Sequence, residues 1–71
     1  MRSEEKLLRM LGDRIRDARK VRGYSQEKLA ELADIHVNHL RRVELGQANP
    51  TYLVLLRLAT ALDMTVNKLL P

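Results

Sequence analysis

Residues 36–45 carry side chains that could recognise a nucleic acid. Arranged as a helix, this segment presents Val37, Asn38, Arg41 and Arg42 on its outward face. A guanidinium can bind guanine O6 and N7 together, an amide can bind adenine, and an apolar group can contact a thymine methyl. The segment therefore has the groups that read base edges in the major groove of double-stranded DNA.

Two histidines in the same segment, His36 and His39, could instead share a metal ion, because they lie three positions apart. No Cys or carboxylate lies beside them at ligand spacing, so we interpret them as polar residues of a DNA-facing helix and expect no metal. His36 is also a poor N-cap, which leaves the start of this helix open. No phosphate-binding glycine loop, nucleophile–base pair or convergent carboxylate set is visible, so we expect neither an enzyme nor a cofactor.

Two short helices and a tight turn are predicted to position these side chains. Ser25 can cap the first helix, whose narrow apolar stripe includes Ala30 and Ala33. Asp34 follows, and Asp tolerates the positive φ that a sharp turn requires. The small alanines let the helices cross closely, as a helix-turn-helix unit at residues 25–45 requires.

The rest of the chain also favours helices, and no strand pattern is visible. Thr51 and Thr65 can cap two further helices, and Asp63 lies in the turn between them. Residues 1–10 could be extra helical turns or a frayed tail. A long first helix would turn a stripe of apolar residues inward: Leu7, Leu8, Leu11, Ile15 and Ala18. We expect helices near residues 3–22, 25–33, 36–45, 51–62 and 65–70.

Size and composition limit the possible functions. The 71 residues predict a single domain, residues 1–71, with a net charge of +4 that suits nucleic acid, an acidic membrane or simply a soluble surface. Two Tyr and no Phe or Trp argue against a base-stacking platform for single strands. No apolar run could span a bilayer and the charged N-terminus is unlike a signal peptide, so we expect a cytoplasmic protein without membrane contact.

Three segments in order, S-Q-E-K-L-A-E-L-A-D-I, L-R-R-V-E-L-G and N-P-T before a Leu-rich stretch, resemble the Cro/repressor-type helix-turn-helix family. This is the xenobiotic-response-element family, and the match runs from about Leu11 to Leu70. The small size is also similar to controller proteins of restriction–modification systems. The resemblance implies an all-α, five-helix, lambda-repressor-like fold. It further implies a transcriptional regulator that places residues 36–45 in the major groove of DNA.

The resemblance also implies residue roles. Gln26 should contact a phosphate and brace the recognition helix, and Asn49 should contact a phosphate near the start of the fourth helix. Glu44 should pair with Arg19. Together with the outward face of residues 36–45, the expected DNA-contacting set is Gln26, His36, Val37, Asn38, His39, Arg41, Arg42, Asn49 and Thr51.

The fourth helix has more apolar residues than one small core can cover, which predicts a symmetric homodimer and a pseudo-palindromic DNA site. Alternatively, Leu53 and Val54 could pack under residues 1–10, which supply Leu7 and Leu8. The expected interface residues are Leu53, Val54, Met64, Val66 and Leu70.

The same fold could instead serve as a protein-interaction module or as an antitoxin that binds both DNA and a toxin. Exposed Leu or Met on the recognition helix would favour a protein partner, whereas Asn38, Arg41 and Arg42 favour DNA. No small-molecule ligand is evident. The DNA sequence that is bound, the regulated genes and the choice between repression and activation stay open at this level.

Overall fold

The computed structural model describes residues 3–71, which form five α-helices and no strand. These are α1 (Ser3–Val21), α2 (Gln26–Ala33), α3 (Val37–Glu44), α4 (Tyr52–Ala61) and α5 (Val66–Leu69). The predicted all-α, five-helix fold is confirmed, with most helix ends within one or two residues of their predicted positions. Residues 3–10 continue α1 as regular helix, while residues 1 and 2 lie outside the described part of the chain.

Local sequence signals account for most of the helix ends. The hydroxyl of Ser25 accepts from the Lys28 N–H at 2.9 Å, which satisfies a donor that has no partner within α2. Asp34 ends α2 in the left-handed region at φ 56°, and Gly46 takes φ 74° just beyond α3. Thr65 stands at the N-cap of α5 but makes no side-chain capping bond, contrary to our expectation.

The core lies where α2 and α3 meet the flanking helices. α2 packs against α3 and α4, while α1 packs against α3 and α5. Apolar side chains from all five helices fill the interior because each amphipathic helix turns one stripe inward. The largest fully buried side chains are Ile15, Leu29, Leu40, Val43, Leu58, Leu62 and Leu69.

A glycine allows α1 to approach α3 closely. A Cβ atom on Gly12 would lie only 2.4 Å from the Val43 carbonyl oxygen and 2.7 Å from that of Glu44. No real Cβ tolerates such contacts, so only glycine fits here without displacing α3. The inward stripe predicted for α1 from the sequence did not include Gly12, although this residue makes the closest approach to α3. The same prediction was wrong at Leu7, which is 51% exposed because the packed part of the helix begins further along the chain.

Candidate nucleic-acid interface

A buried ion pair anchors the C-terminal end of α3 to α1. Arg19 Nε donates to Glu44 Oε2 at 2.7 Å, and Arg19 Nη2 donates to Glu44 Oε1 at 3.0 Å. The two residues are only 9% and 5% exposed. Arg19 Nη1 also donates to the Tyr24 carbonyl at 2.9 Å, which ties the end of α1 to the same cluster. The planar guanidinium suits this bidentate arrangement, so the pair sets the position of α3 relative to α1.

Gln26 connects this pair to the outer face of α3. Its Nε2 donates to Glu44 Oε1 at 3.0 Å, while its Oε1 accepts a longer bond, 3.4 Å, from Arg41 Nε. Both ends of the amide are therefore engaged, one with the buried carboxylate and one with an exposed cation. The predicted bracing contact of Gln26 with α3 is present in this form.

Arg41 is held on the surface by more than Gln26. Its Nη2 donates to Glu27 Oε2 at 2.7 Å, and its Nη1 donates to Asn38 Oδ1 at 3.0 Å. The structure thus brings two of the predicted base-reading residues into direct contact with each other. Glu27 was not among the predicted site residues. It lies on a different helix from Arg41, and no local sequence pattern relates the two positions.

His36 caps α3, contrary to our expectation of a poor N-cap. Its Nδ1 accepts from the Asn38 N–H at 3.1 Å, and α3 begins directly after it, at Val37. Nδ1 can act this way because it lies as far along the side chain as the carboxamide oxygen of Asn, a favoured N-cap. The bond requires Nδ1 to be unprotonated, so a neutral His36 carries its proton on Nε2. Nε2 is the donor that His36 can then offer to a ligand.

The remaining predicted contact residues lie on α3 or in the segment that leads into α4. Arg42 is exposed and donates from Nη2 to the Gln47 carbonyl at 3.1 Å, and Asn49 is also exposed. His39 and Val37 are half-buried, and Val37 packs partly on the core. Thr51 caps α4 by accepting from the Val54 N–H at 3.2 Å.

Taken together, the exposed face combines guanidinium, amide and imidazole groups on one short helix with a helix N-terminus nearby. A sequence profile of the helix-turn-helix family HTH_3 matches residues 15–69. The chain belongs to the HTH_3 helix-turn-helix family. The resemblance read from the sequence is confirmed, and α3 holds the position of the second helix of the motif, the recognition helix.

Named relatives of this HTH_3 protein are regulators. The control protein C.SmaI of Serratia marcescens is 38% identical over 61 residues, which cover 86% of this chain and 73% of C.SmaI. The HTH-type transcriptional regulator SinR of Bacillus subtilis is 39% identical over 62 residues, 86% of this chain, but the match spans only 56% of SinR. The crystal structure of the restriction-modification controller protein C.AhdI from Aeromonas hydrophila superposes with a TM-score of 0.86 at 40% identity. That match covers 87% of this chain and 94% of C.AhdI.

Away from the recognition helix, α4 exposes three large apolar side chains. Tyr52, Leu53 and Leu56 are 66%, 55% and 38% exposed, and we refer to these three residues as the α4 patch. Leu7, the alternative cover for Leu53, is itself half exposed, so the N-terminal part of α1 leaves the patch open.

No helix among residues 3–71 is long and apolar enough to cross a membrane.

The other predicted interface residues are less exposed than Leu53. Val54, Met64 and Val66 are half-buried and pack partly against the core. Leu70 is 38% exposed, and its carbonyl accepts from Arg14 Nη1 at 2.8 Å. A groove of about 350 Å³ runs beside the α4 patch, and Met64 and Val66 contribute to its lining.

Proposed function

We propose that this protein is a transcriptional regulator that binds a specific double-stranded DNA sequence with α3 in the major groove. The observation that carries the proposal is the set of polar side chains along α3, of which Arg41 and Asn38 are already arranged by contacts within the protein. Guanidinium and amide groups are those that read guanine and adenine in the major groove. The control and regulator proteins to which the chain is similar support the same function.

Several residues around α3 would then serve the DNA backbone. We propose phosphate contacts for Gln26, Asn49 and Thr51, the last two in the segment that leads into α4. The first N–H groups of a helix have no partner within it, and the helix dipole favours an anion there. His36 and His39 would add polar contacts beside Val37, whose exposed part could meet a thymine methyl.

A substitution of Arg42 tests whether α3 recognises specific bases in the DNA. We propose that it contacts guanine, so Arg42→Ala should weaken binding to the best site by about 1–3 kcal/mol and relax the preference at one base pair. The best site is obtained by selecting bound duplexes from a random pool. Arg16→Ala, which removes the same charge from α1, is the matched control. An equal loss on selected and random duplexes would show that Arg42 binds a phosphate instead.

A salt series separates DNA binding from a protein-interaction function of the same fold. Phosphate contacts release counterions, so log K should fall linearly with log salt, with a slope of about −0.9 per phosphate contacted. Absence of binding to any duplex at low salt would contradict the proposal and favour the interaction module.

We further propose that the protein acts as a symmetric homodimer through the α4 patch together with Val54, Met64, Val66 and Leu70. An exposed apolar patch marks an interface, and two-fold symmetry pairs the same patch with itself. Two recognition helices would then lie about 34 Å apart along the duplex, which requires a pseudo-palindromic site.

Sedimentation at micromolar concentration tests the dimer. Leu53→Glu should yield a monomer with reduced affinity for the selected site, because it places a charge in an apolar interface. Leu7→Glu is the control, since Leu7 has a similar exposure, 51% against 55%, but lies on α1. A monomeric wild type at high concentration would contradict both the dimer and the palindromic site.

A further inference from the structure

The contact between Glu27 and Arg41 places an acid directly beside the proposed base-reading surface. Glu27 lies in the first turn of α2, and its Oε2 is 2.7 Å from Arg41 Nη2, the shortest of the contacts that Arg41 makes. Both side chains are well exposed, 65% for Glu27 and 43% for Arg41. Ion pairs this exposed contribute little to stability, so the arrangement calls for another explanation.

The contacts of Arg41 leave a defined set of donors for a ligand. A guanidinium has five N–H groups: one on Nε and two on each terminal nitrogen. Gln26, Asn38 and Glu27 engage Nε, Nη1 and Nη2 respectively. After these contacts, one N–H is left on each terminal nitrogen. Two N–H groups on one guanidinium are the number that a bidentate contact with guanine O6 and N7 requires.

We propose that Glu27 is a specificity-determining residue, which positions Arg41 for a base edge and keeps it from the DNA backbone. This inference rests on the proposed function. An unrestrained arginine on this surface could follow any phosphate, and phosphate contacts raise affinity for every sequence alike. A phosphate that approached the remaining N–H groups would come close to the Glu27 carboxylate, which lies 2.7 Å from Nη2 and has the same sign of charge, whereas a base edge carries no net charge.

The charge of Glu27 acts in the same direction. α2 begins at Gln26, where a phosphate contact is proposed, and a carboxylate one residue further on repels the backbone of any duplex. This repulsion lowers affinity for every duplex alike, and only at the selected site does the base contact of Arg41 offset it. The expected effect is on the ratio of the two affinities.

Glu27→Gln tests this inference, with Glu31→Gln as the matched control. Both changes remove one negative charge from α2, but Glu31 lies one turn further along and pairs with Lys28 at 3.5 Å. Glu27→Gln should bind random duplex more tightly, with a salt slope steeper by about one phosphate contact, that is by about 0.9. The ratio of selected to random affinity should fall roughly fivefold or more, in line with the loss of one base contact. Glu31→Gln should leave that ratio unchanged.

Two further measurements complete the test. Sequence selection with Glu27→Gln should lose preference at one base pair, a readout that a merely structural change would not move. In an Arg41→Ala background, Glu27→Gln should no longer alter the affinity ratio, because the group that it positions is gone.

These experiments distinguish a failure of the proposed function from a failure of the role assigned to Glu27. If the wild type does not discriminate between any duplexes, the proposed function is wrong. If the wild type discriminates but Glu27→Gln keeps the same ratio as Glu31→Gln, the assignment of Glu27 is overturned while the proposed function stands. A change in ratio that persists without Arg41 would also overturn it.

Discussion

Replacing Glu44 by Ala should destabilise the fold strongly, because it removes the carboxylate from the buried pair that joins α1 to α3. Arg19 would lose two hydrogen bonds, of 2.7 and 3.0 Å, and keep its contact with the Tyr24 carbonyl. Gln26 would lose the acceptor for its Nε2. The change thus leaves a charge and a polar group without their partners, rather than simply deleting a contact.

The expected cost follows from the burial of the pair. Removing one partner of a fully buried ion pair costs about 3–5 kcal/mol. The Arg19 side chain is 11% exposed, so some water can reach its guanidinium, and we expect the lower end, about 3 kcal/mol. A domain of 71 residues has a free energy of unfolding on the order of 4–11 kcal/mol. The melting temperature should therefore fall by roughly 12–24 °C.

Urea unfolding followed by circular dichroism at fixed protein concentration measures this cost. Glu31→Ala is the matched control, since it is also a Glu-to-Ala change within a short helix, but its side chain is 74% exposed. The double variant Arg19→Met with Glu44→Ala removes the unpaired charge. It should be destabilised by less than the sum of its two single changes, because the two sites interact directly.

Two results would refute this reasoning. If Glu44→Ala and Glu31→Ala had the same unfolding midpoint, the burial of Glu44 would carry no energetic consequence. If the effects of the changes at Arg19 and Glu44 were additive, the cost would come from lost packing rather than from a broken pair.

Two further changes test the packing and capping of α3. Gly12→Ala should destabilise the protein by about 1–3 kcal/mol because the new Cβ would meet the Val43 carbonyl at 2.4 Å. In a helix with open space at this position, the same change would stabilise the protein by about 1 kcal/mol. The sign of the change in the urea midpoint therefore shows whether the close approach of α1 to α3 requires glycine. His36→Ala should cost about 0.5–2 kcal/mol by removing the acceptor for the Asn38 N–H, and His36→Asn should restore most of it. Equal midpoints for the two His36 variants would show that the cap contributes nothing.

Much of the helical framework could be read from local sequence because its causes are local. Ser25 caps α2 through a hydroxyl three residues from its donor, and Asp34 turns the chain through its own tolerance of positive φ. The predicted helices are confirmed for this reason, whereas the family was predicted from a resemblance and is confirmed by the match to HTH_3. Where a local rule was applied by residue type alone, it failed in both directions: His36 caps α3 although it is an uncommon cap, and Thr65 makes no capping bond.

Contacts between helices could be predicted only where the family resemblance supplied them, as for Arg19 and Glu44. The carboxylate of Glu27 reaches Arg41 across 14 positions of sequence, a separation set by how α2 crosses α3. The requirement for glycine at position 12 likewise arises from two carbonyls on another helix. The sequence by itself determined the helices, their turns and the polar face of α3, because these depend on neighbours along the chain. Only the tertiary structure decided that Glu27 restrains Arg41 and that Leu56 is exposed beside Leu53 while Val54 is half-buried, because those facts depend on which side of each helix the packing leaves open.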